Sequence, residues 1–301
     1  MKLENITLIR PIARGGHAEI FLARALAEDG CEKTIACKRI PSEMMQDAEF
    51  LASLHKEVRI GQILHHPNIL QVYGLCEDGD CSLLEMEYMD AGDMQKLQKR
   101  CALCGIKMPV SMAIYMVTQV AAGLHCAHEL LDENGEPLEL VHRDISPENI
   151  LFNLEGEIKI SDFGIAQIRT DTESEASDYI EGKFNYMSPE QAWGDRLDRR
   201  SDIFSLGVVL YEALLGVSMY PNDDPDAILM CARVGNFPQP HEVDGEFPGD
   251  LEKILMRALD LDKKVRYGTM LEFSRDLESC ALSHGWKISR EDWRSWMNSL
   301  A

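Results

Sequence analysis

Two short polar segments contain the side chains best suited to chemistry. The first reads His-Arg-Asp-Ile-Ser-Pro-Glu-Asn and runs from His142 to Asn149. The second, Asp162-Phe163-Gly164, begins 13 residues after Asn149. Aspartate and asparagine side chains offer oxygen atoms, which are the ligands that a hard cation such as Mg²⁺ takes in proteins. Either segment alone is a weak signal, because short strings also arise by chance.

Three further strings keep a fixed order with these two. A Gly-Gly turn at Gly15 and Gly16 precedes a predicted strand that contains the string Thr-Ile-Ala-Cys-Lys, which ends at Lys38. A Ser-Pro-Glu string ends at Glu190, which lies 28 residues after Asp162. Five strings in this order and at these spacings are not expected by chance.

The elements that must position these residues change in character near residue 90. Before it, short runs rich in Ile, Leu, Val and Tyr predict strands at Ile6–Ile12, Ile20–Ala27, Lys33–Ile40, Leu70–Cys76 and Ser82–Met89. One helical pattern, from Phe50 to Leu64, interrupts them. After residue 90, helical periodicity predicts helices at 93–103, 111–131, 200–216, 224–234, 249–259, 270–282 and 290–299. We therefore expect a small sheet domain with one helix, a hinge at Glu87–Asp90 and a larger helical domain.

Taken together, the five strings resemble those of eukaryotic-like (bacterial-type) Ser/Thr protein kinases, over about residues 5–282. Further residues that agree are Glu57, His66-Pro67-Asn68-Ile69, Asp202, Ser205, Gly207 and Arg266. The resemblance implies an α+β, bilobed protein-kinase fold, with a small β-rich N-terminal lobe at 1–89 and a larger, mostly helical C-terminal lobe at 90–282. A helical extension at 283–301 contains three tryptophans. We expect it to pack on the C-terminal lobe, the alternative being a partner surface.

The same resemblance implies the roles of the catalytic residues. Lys38 holds the α- and β-phosphates of ATP and is itself held by Glu57, since phosphoryl transfer depends on positioning and on positive charge. Asn149 and Asp162 are the ligands of Mg²⁺, which neutralises the charge that develops on phosphate oxygens. Asp144 is the base that orients the acceptor hydroxyl and accepts its proton.

The resemblance also implies an ATP site between a phosphate-covering loop and the hinge. Ile20, Ala36 and Leu151 would sandwich the adenine ring, and Glu87 and Met89 would offer it backbone groups. The residues implied for ATP are Ala13, Arg14, Gly15, Gly16, Ile20, Ala36, Lys38, Met86, Glu87, Met89, Leu151 and Asp162. The loop departs from the family form G-x-G-x-x-G, because residues 13–18 read Ala-Arg-Gly-Gly-His-Ala. Since alanine resists positive φ, we expect a nucleotide affinity below the family's usual value.

A second departure concerns the charge that meets the transferring phosphate. Ser/Thr members usually place a lysine two residues after the catalytic aspartate, where this chain has Ser146. They usually place Gly-Thr shortly before the Pro-Glu, where this chain has Gly182-Lys183. We hypothesise a swap, in which Lys183 supplies from the activation segment the charge that position 146 lacks. The alternative is a solvated Lys183 and impaired transfer.

The segment from Asp162 to Glu190 is the expected switch. It holds Thr170, Thr172, Ser174, Ser177 and Tyr179, which are interleaved with acidic residues. Arg143 is the expected partner of a phosphorylated hydroxyl, and the resulting charge-assisted hydrogen bonds would order the segment. The alternative is an acidic, disordered loop without phospho-control.

The composition restricts partners and location. The 30 basic and 51 acidic side chains give a net charge of −21, which disfavours nucleic acid as a partner. Nine scattered cysteines suit the reduced thiols of a cytoplasmic protein, and the pair Cys101 and Cys104 lacks the second pair that a zinc ribbon needs. The uncharged stretch Met108–His128 contains several polar residues, so we expect a buried core helix there rather than a membrane anchor.

The resemblance thus implies an ATP- and Mg²⁺-dependent kinase that phosphorylates Ser and Thr hydroxyls of proteins, with autophosphorylation of its activation loop. One rival is a pseudokinase that acts as an allosteric or scaffolding module. The altered glycine loop and Ser146 favour it, and the five catalytic residues oppose it. Another rival is a small-molecule phosphotransferase, which the long activation segment opposes. The protein substrate and the oligomeric state stay open.

Overall fold

A computed structural model describes residues 3–14, 19–27, 30–41, 43–78, 81–163 and 183–300. The chain divides into two compact units. The first consists of Met1–Asp90 with Phe163–Ile180, and the second of Ala91–Asp162 with Glu181–Ala301.

The first unit is an antiparallel sheet with one main helix. Its strands are β1 (Leu3–Arg14), β2 (Glu19–Ala27), β3 (Glu32–Pro41), β4 (Val72–Asp78) and β5 (Cys81–Glu87), and helix α1 (Ala48–Ile63) follows β3 in the chain. The strand order is β1-β2-β3-β5-β4, so β3 lies in the middle. Helix α1 begins at Ala48 because the Asp47 carboxylate accepts hydrogen bonds from the backbone N–H groups of Glu49 (2.9 Å) and Phe50 (3.2 Å).

The two faces of this sheet have different neighbours. Cys37 of β3 belongs to a buried cluster on one face. Ile40 of the same strand packs on the other face against Leu54 and Val58 of α1. Because successive side chains of a strand point to opposite faces, Lys38 lies on the same face as Ile40. Lys38 therefore leaves the sheet on the side that α1 covers.

The second unit combines a short sheet with many helices. Its strands β6 (Gly92–Asp93), β7 (Ile150–Phe152) and β8 (Ile158–Ile160) pair antiparallel in that order. Its helices are α2 (Met94–Cys104), α3 (Val110–His128), α4 (Pro189–Trp193), α5 (Arg199–Leu215), α6 (Pro225–Val234), α7 (Pro240–Val243), α8 (Gly249–Ala258), α9 (Met270–Ser283) and α10 (Arg290–Ser299).

Helix α3 forms the centre of the second unit. It packs against α5, α9 and β8, and Met116, Val120 and Leu124 are fully buried. Within the described part of the chain, α3 is the helix that is long and apolar enough to cross a membrane. Inside the unit, 67% of that apolar stretch is buried, as we expect for a core helix.

The last helix, α10, is attached to the second unit through a tryptophan. Trp293 is fully buried, and its ring centroid lies 5.0 Å from that of Phe152 and 6.2 Å from that of Tyr115. Gly156, with φ of +80°, allows the close approach, because a Cβ at this position would lie 3.2 Å from the carbonyl oxygen of Arg290.

The long predicted elements appear in the structure with ends that move by a few residues. The predicted strand Ser82–Met89 ends at Glu87, and the predicted helix 111–131 ends at His128. Sequence periodicity does not predict β6, β7, β8, α4 or α7. Each of these spans at most five residues, which is too short for a repeat of either period to show.

Candidate active site

The loop from His142 to Asn149 is anchored by one buried aspartate. Asp202 of α5 is 1% exposed, and its carboxylate accepts hydrogen bonds from the backbone N–H groups of His142 (2.8 Å) and Arg143 (3.0 Å). The Nε2 atom of His128, at the end of α3, lies 2.7 Å from the same carboxylate. Burial by itself would raise the pKa of Asp202, but its interactions with His128 and His142 together outweigh burial and lower it. The anchor is therefore an ionised carboxylate.

The backbone at Arg143 adopts the left-handed conformation, with φ of +70°. A residue with a side chain rarely takes this conformation, and holding it costs about 1–3 kcal/mol. The N–H of Arg143 bonds Asp202, and the carbonyl oxygen of Arg143 accepts a hydrogen bond from Nε2 of Gln191 at 2.8 Å. Gln191 itself closes a capping box with Ser188 at the start of α4. These contacts hold the turn that aims the next residue, Asp144.

His142 joins this loop to the residue before Asp162. The ring is fully buried, Nδ1 accepts a hydrogen bond from the backbone N–H of Asp144 (3.3 Å), and Nε2 lies 2.9 Å from the carbonyl oxygen of Ser161. Because Nδ1 is an acceptor, the proton must be on Nε2, which donates to Ser161. Burial lowers the pKa of His142, which keeps the ring neutral. His142 is a positioning residue.

Asn149 and Asp144 are aligned by direct hydrogen bonds. The Nδ2 atom of Asn149 donates to the backbone oxygen of Asp144 (2.7 Å) and to its carboxylate (3.1 Å). The amide oxygen of Asn149 is then on the opposite side of the planar group and suits a cation. The N–H of Ser161 donates to the carbonyl oxygen of Asn149 at 2.8 Å, which places Asp162 one residue away. Amide and carboxylate oxygens fit Mg²⁺.

The Ser-Pro-Glu string is anchored by a buried ion pair. Glu190 accepts hydrogen bonds from both terminal nitrogens of Arg266, at 2.7 and 2.8 Å, and another from Ser201 at 2.7 Å. Burial would raise the pKa of Glu190, but the bonds and charge of Arg266 together with the bond from Ser201 outweigh burial and lower the pKa. This pair fixes the chain at the end of the predicted switch.

Of the residues in the charge-swap prediction and the hydroxyls in the switch prediction, the structure describes only Ser146 in full. Ser146 is 3% exposed, and its Oγ has no hydrogen-bond partner among the residues that the structure describes. A 3₁₀ turn begins at Lys183, whose side chain lies outside the described residues. Gly15, Gly16 and the hydroxyl residues at 170–179 lie outside them as well. The predictions about these residues stay predictions.

In the first unit, strand register brings several ATP-binding candidates together. Ile20, Lys38 and Leu84 are directly opposite one another on β2, β3 and β5. Ala36 and Met86 are opposite one another two residues along. Opposite residues share a face, and the face repeats every second residue, so all five lie on the face that packs against α1.

The other candidates lie at element ends or on neighbouring elements. Glu57 is half-buried on α1, next to Val58, which packs against the sheet. Arg14 forms an ion pair with Glu19 at 2.8 Å. The remaining positions are Ala13 at the end of β1, Glu87 at the end of β5, Met89 just after β5 and Leu151 on β7 of the second unit.

Three positioning residues are not identified by the sequence analysis: His128, Gln191 and Ser161. Ser188 followed three residues later by Gln191 is a capping-box pattern, which could have marked the start of α4. A histidine that ends an apolar helix is a weaker signal of a buried polar contact. No local pattern points to Ser161, because only its backbone and its position next to Asp162 matter.

Comparison with known proteins agrees with this geometry. The family model described as protein kinase domain matches residues 6–276. The chain is 36% identical over 277 residues to the tyrosine-protein kinase MasK of Myxococcus xanthus, covering 92% of this chain and 43% of the relative. It is 29% identical over 272 residues to the serine/threonine-protein kinase PrkC of Bacillus subtilis, covering 90% and 40%. The chain thus spans about two fifths of the curated relatives that it matches.

A solved structure shows the same fold. The crystal structure of a single-substitution mutant of the Mycobacterium tuberculosis PknI kinase domain aligns with a TM-score of 0.67 and 24% identity, over 93% of this chain and 97% of that one. At this identity the likeness shows the fold alone. The predicted α+β fold, with a β-rich unit and a helical unit, is confirmed.

Proposed function

Because the chain belongs to the protein kinase domain family, we propose that it transfers the γ-phosphate of ATP to Ser and Thr hydroxyls of protein substrates. The observation that carries the proposal is the hydrogen-bonded loop of the second unit. Asn149 bonds Asp144 directly, and the backbone of Asn149 holds Ser161, the neighbour of Asp162. Base and cation ligands are therefore set by the same few bonds, as positioning catalysis requires.

Each catalytic residue has a role that its surroundings support. Asn149 and Asp162 would hold Mg²⁺, which supplies positive charge to the phosphate oxygens. Asp144 orients the acceptor hydroxyl and takes its proton while the hydroxyl oxygen bonds to the γ-phosphorus and the β-phosphate oxygen leaves. Lys38, paired with Glu57, binds the α- and β-phosphates. Since all five residues are present, a pseudokinase is disfavoured.

The charge swap between positions 146 and 183 is part of the proposal. The buried Ser146 hydroxyl supplies no positive charge, so the cation must come from elsewhere, and Lys183 is the candidate. We expect Lys183→Met to lower kcat by about 10²–10³-fold, the effect of removing one donor that stabilises transition-state charge. Adding Ser146→Lys to that variant should restore much of the loss. An unchanged kcat in Lys183→Met, with exposed Lys107→Met as the control, would rule the swap out.

The acceptor class has a specific alternative. A relative with 36% identity is a tyrosine kinase, whereas relatives at 29–31% identity are Ser/Thr kinases. Pro147-Glu148-Asn149 resembles the Ser/Thr form, which supports Ser and Thr as acceptors. The switch segment contains serine and threonine hydroxyls as well as a tyrosine hydroxyl. Autophosphorylation of this segment can therefore distinguish the two acceptor classes.

The experiment is phosphoamino-acid analysis after incubation with ATP, Mg²⁺ and a generic protein substrate, followed by mass spectrometry of the switch segment. We expect phosphoserine and phosphothreonine, with at least one site among residues 170–177. Phosphotyrosine alone would establish the alternative. Asp144→Asn is the control that must abolish transfer while leaving the fold intact.

We also propose the domain arrangement and location that follow from the family. Residues 1–89 and 90–282 would be the two lobes, and 283–301 an extension that packs on the C-terminal lobe. The boundary between units after Asp90 and the buried Trp293 support this division. The scattered spacing of the nine cysteines in the sequence is the basis for proposing a cytoplasmic location.

A further inference from the structure

Three side chains of different chemistry meet where α8 begins and α9 ends. The Nε2 atom of His284 lies 3.0 and 2.9 Å from the two carboxylate oxygens of Asp250. The Sγ atom of Cys280 lies 3.6 Å from Oδ2 of the same carboxylate. One donor atom from each residue lies within 4.8 Å of the other two. Imidazole, thiol and carboxylate thus converge on one point.

The end of α9 fixes two of these side chains. Cys280 and His284 are one helical turn apart, so they share a face of the helix, and the N–H of His284 still bonds the carbonyl of Cys280 at 3.1 Å. Gly285, with φ of +67°, ends the helix and turns the chain back, so that the N–H of Trp286 bonds the carbonyl of Ala281 at 2.9 Å. The indole of Trp286 then stacks on the His284 ring, 4.3 Å away and tilted by 10°. The imidazole is thereby held in a set orientation.

The third side chain is fixed by the packing of α8 on α9. Leu251 and Leu255 of α8 and Leu277 of α9 are fully buried, and α8 packs against α9. Asp250 directly precedes Leu251, so the carboxylate sits at the edge of this core. Ligands held on packed helices are better positioned for a metal than ligands on loops.

We infer that Asp250, Cys280 and His284 form a Zn²⁺ site with three protein ligands. Zinc bond lengths and tetrahedral angles place nitrogen and oxygen donors about 3.3 Å apart, and sulfur and oxygen donors about 3.6 Å apart. The Cys280–Asp250 separation of 3.6 Å already matches, and the His284–Asp250 separation of 2.9 Å must open slightly. A thiolate and an imidazole select zinc over Mg²⁺ or Ca²⁺.

Zinc binding at this site exchanges a proton for the metal ion. Zinc replaces the Cys280 thiol proton, which is released to solvent, and a water molecule completes the fourth position. Glu190–Arg266 and the loop around Asp202 share no residue with this site. The site therefore concerns the packing of α8, α9 and the start of the C-terminal extension rather than phosphoryl transfer.

The test is a titration of the reduced, chelator-treated 301-residue chain with Co²⁺, followed by competition with Zn²⁺. We expect one Co²⁺ per chain, a sulfur-to-cobalt charge-transfer band, loss of that band on adding one equivalent of Zn²⁺, and release of a proton. Cys280→Ser should remove the band. Asp250→Asn and His284→Gln, both at exposed positions, should weaken binding at least about tenfold.

Cys104→Ser is the matched control, because it removes an exposed thiol on α2 that lies outside the proposed site. The site is supported if this variant binds cobalt like the unmodified chain. It is overturned if the unmodified chain shows no charge-transfer band, or if the band survives Cys280→Ser and disappears in Cys104→Ser. A Cys280 variant that fails to fold leaves the two exposed variants to decide, and unchanged affinity in both would also overturn the site.

Discussion

The loop from His142 to Asn149 in the second unit and the α1-facing side of the sheet in the first unit position their residues by different means. The loop depends on polar contacts between distant residues: Asp202 bonds two backbone N–H groups, and Gln191 bonds the carbonyl of Arg143. The sheet face depends on register, since Lys38 and Ala36 share a side simply because they are two residues apart on β3. Removing the Asp202 carboxylate should therefore disrupt the loop. The sheet face should be disrupted only by a larger side chain that occupies it.

The largest effect should follow from removing the carboxylate of the loop. We expect Asp202→Ala to lower the free energy of unfolding by about 3–5 kcal/mol, because His128 and two backbone N–H groups lose a buried ionised partner. Urea denaturation measures the change. The exposed Asp223→Ala is the control and should leave stability nearly unchanged. Equal losses in the two variants would show that Asp202 is not the anchor.

Two alanine-to-leucine substitutions, one on each face of the sheet, test the assignment of the faces. Ala23 belongs to the cluster on the face opposite Ala36, so Ala23→Leu should overpack that core and lower the free energy of unfolding by about 1–3 kcal/mol. Ala36→Leu should instead raise the KM for ATP by about tenfold, because the added bulk enters the sheet face that carries the ATP-binding candidates Ile20 and Lys38. Steady-state kinetics and urea denaturation separate the two results. A KM for ATP that Ala36→Leu leaves unchanged would contradict the assignment of the face.

The smallest effect is a dependence of stability on pH. Burial lowers the pKa of His142 in the folded chain, so the unfolded state binds a proton that the folded state excludes. The free energy of unfolding should therefore fall as pH drops below about 6.5, by at most about 1.4 kcal/mol per pH unit from this group. His142→Gln should flatten the dependence, measured by denaturation at several pH values.

His241 contributes to the pH dependence of the free energy of unfolding with the opposite sign. Its hydrogen bond to Glu252 raises its pKa, so its contribution is present at low pH and is lost as pH rises. His241→Gln should make the acid side of the curve steeper. If both variants changed the curve in the same direction, burial of His142 would not be the cause.

The same contrast explains what the sequence could predict. A short run of strand-forming residues predicts β3, and the resemblance to protein kinases singles out Lys38 on it. Helical periodicity predicts α3 and α5, because this signal is local and these helices are long. The contact between His128 and Asp202 joins residues 74 positions apart, and no local pattern specifies it. The start of α1 at Ala48 depends on the cap by Asp47, which the apolar pattern from Phe50 does not contain. Strands of three residues, such as β7 and β8, are too short to show alternation.

The candidate site shows the same division between motif and contact. Short motifs that resemble those of protein kinases indicate Asp144, Asn149 and Asp162 as site residues, but their hydrogen bonds required the structure. Asn149 was expected only as a cation ligand, and the structure adds its bonds to Asp144. Gln191 and Ser161 act on or through backbone groups, which leave little trace in side-chain motifs.

Transfer of γ-labelled phosphate from ATP to a generic protein tests whether Asp144, Asn149 and Asp162 catalyse Mg²⁺-dependent phosphoryl transfer. We expect the purified chain to transfer the label only when Mg²⁺ is present, and we expect transfer to fall to background in Asp162→Ala. Absence of transfer by the unmodified, folded chain, or transfer that Asp162→Ala leaves unchanged, would contradict this assignment.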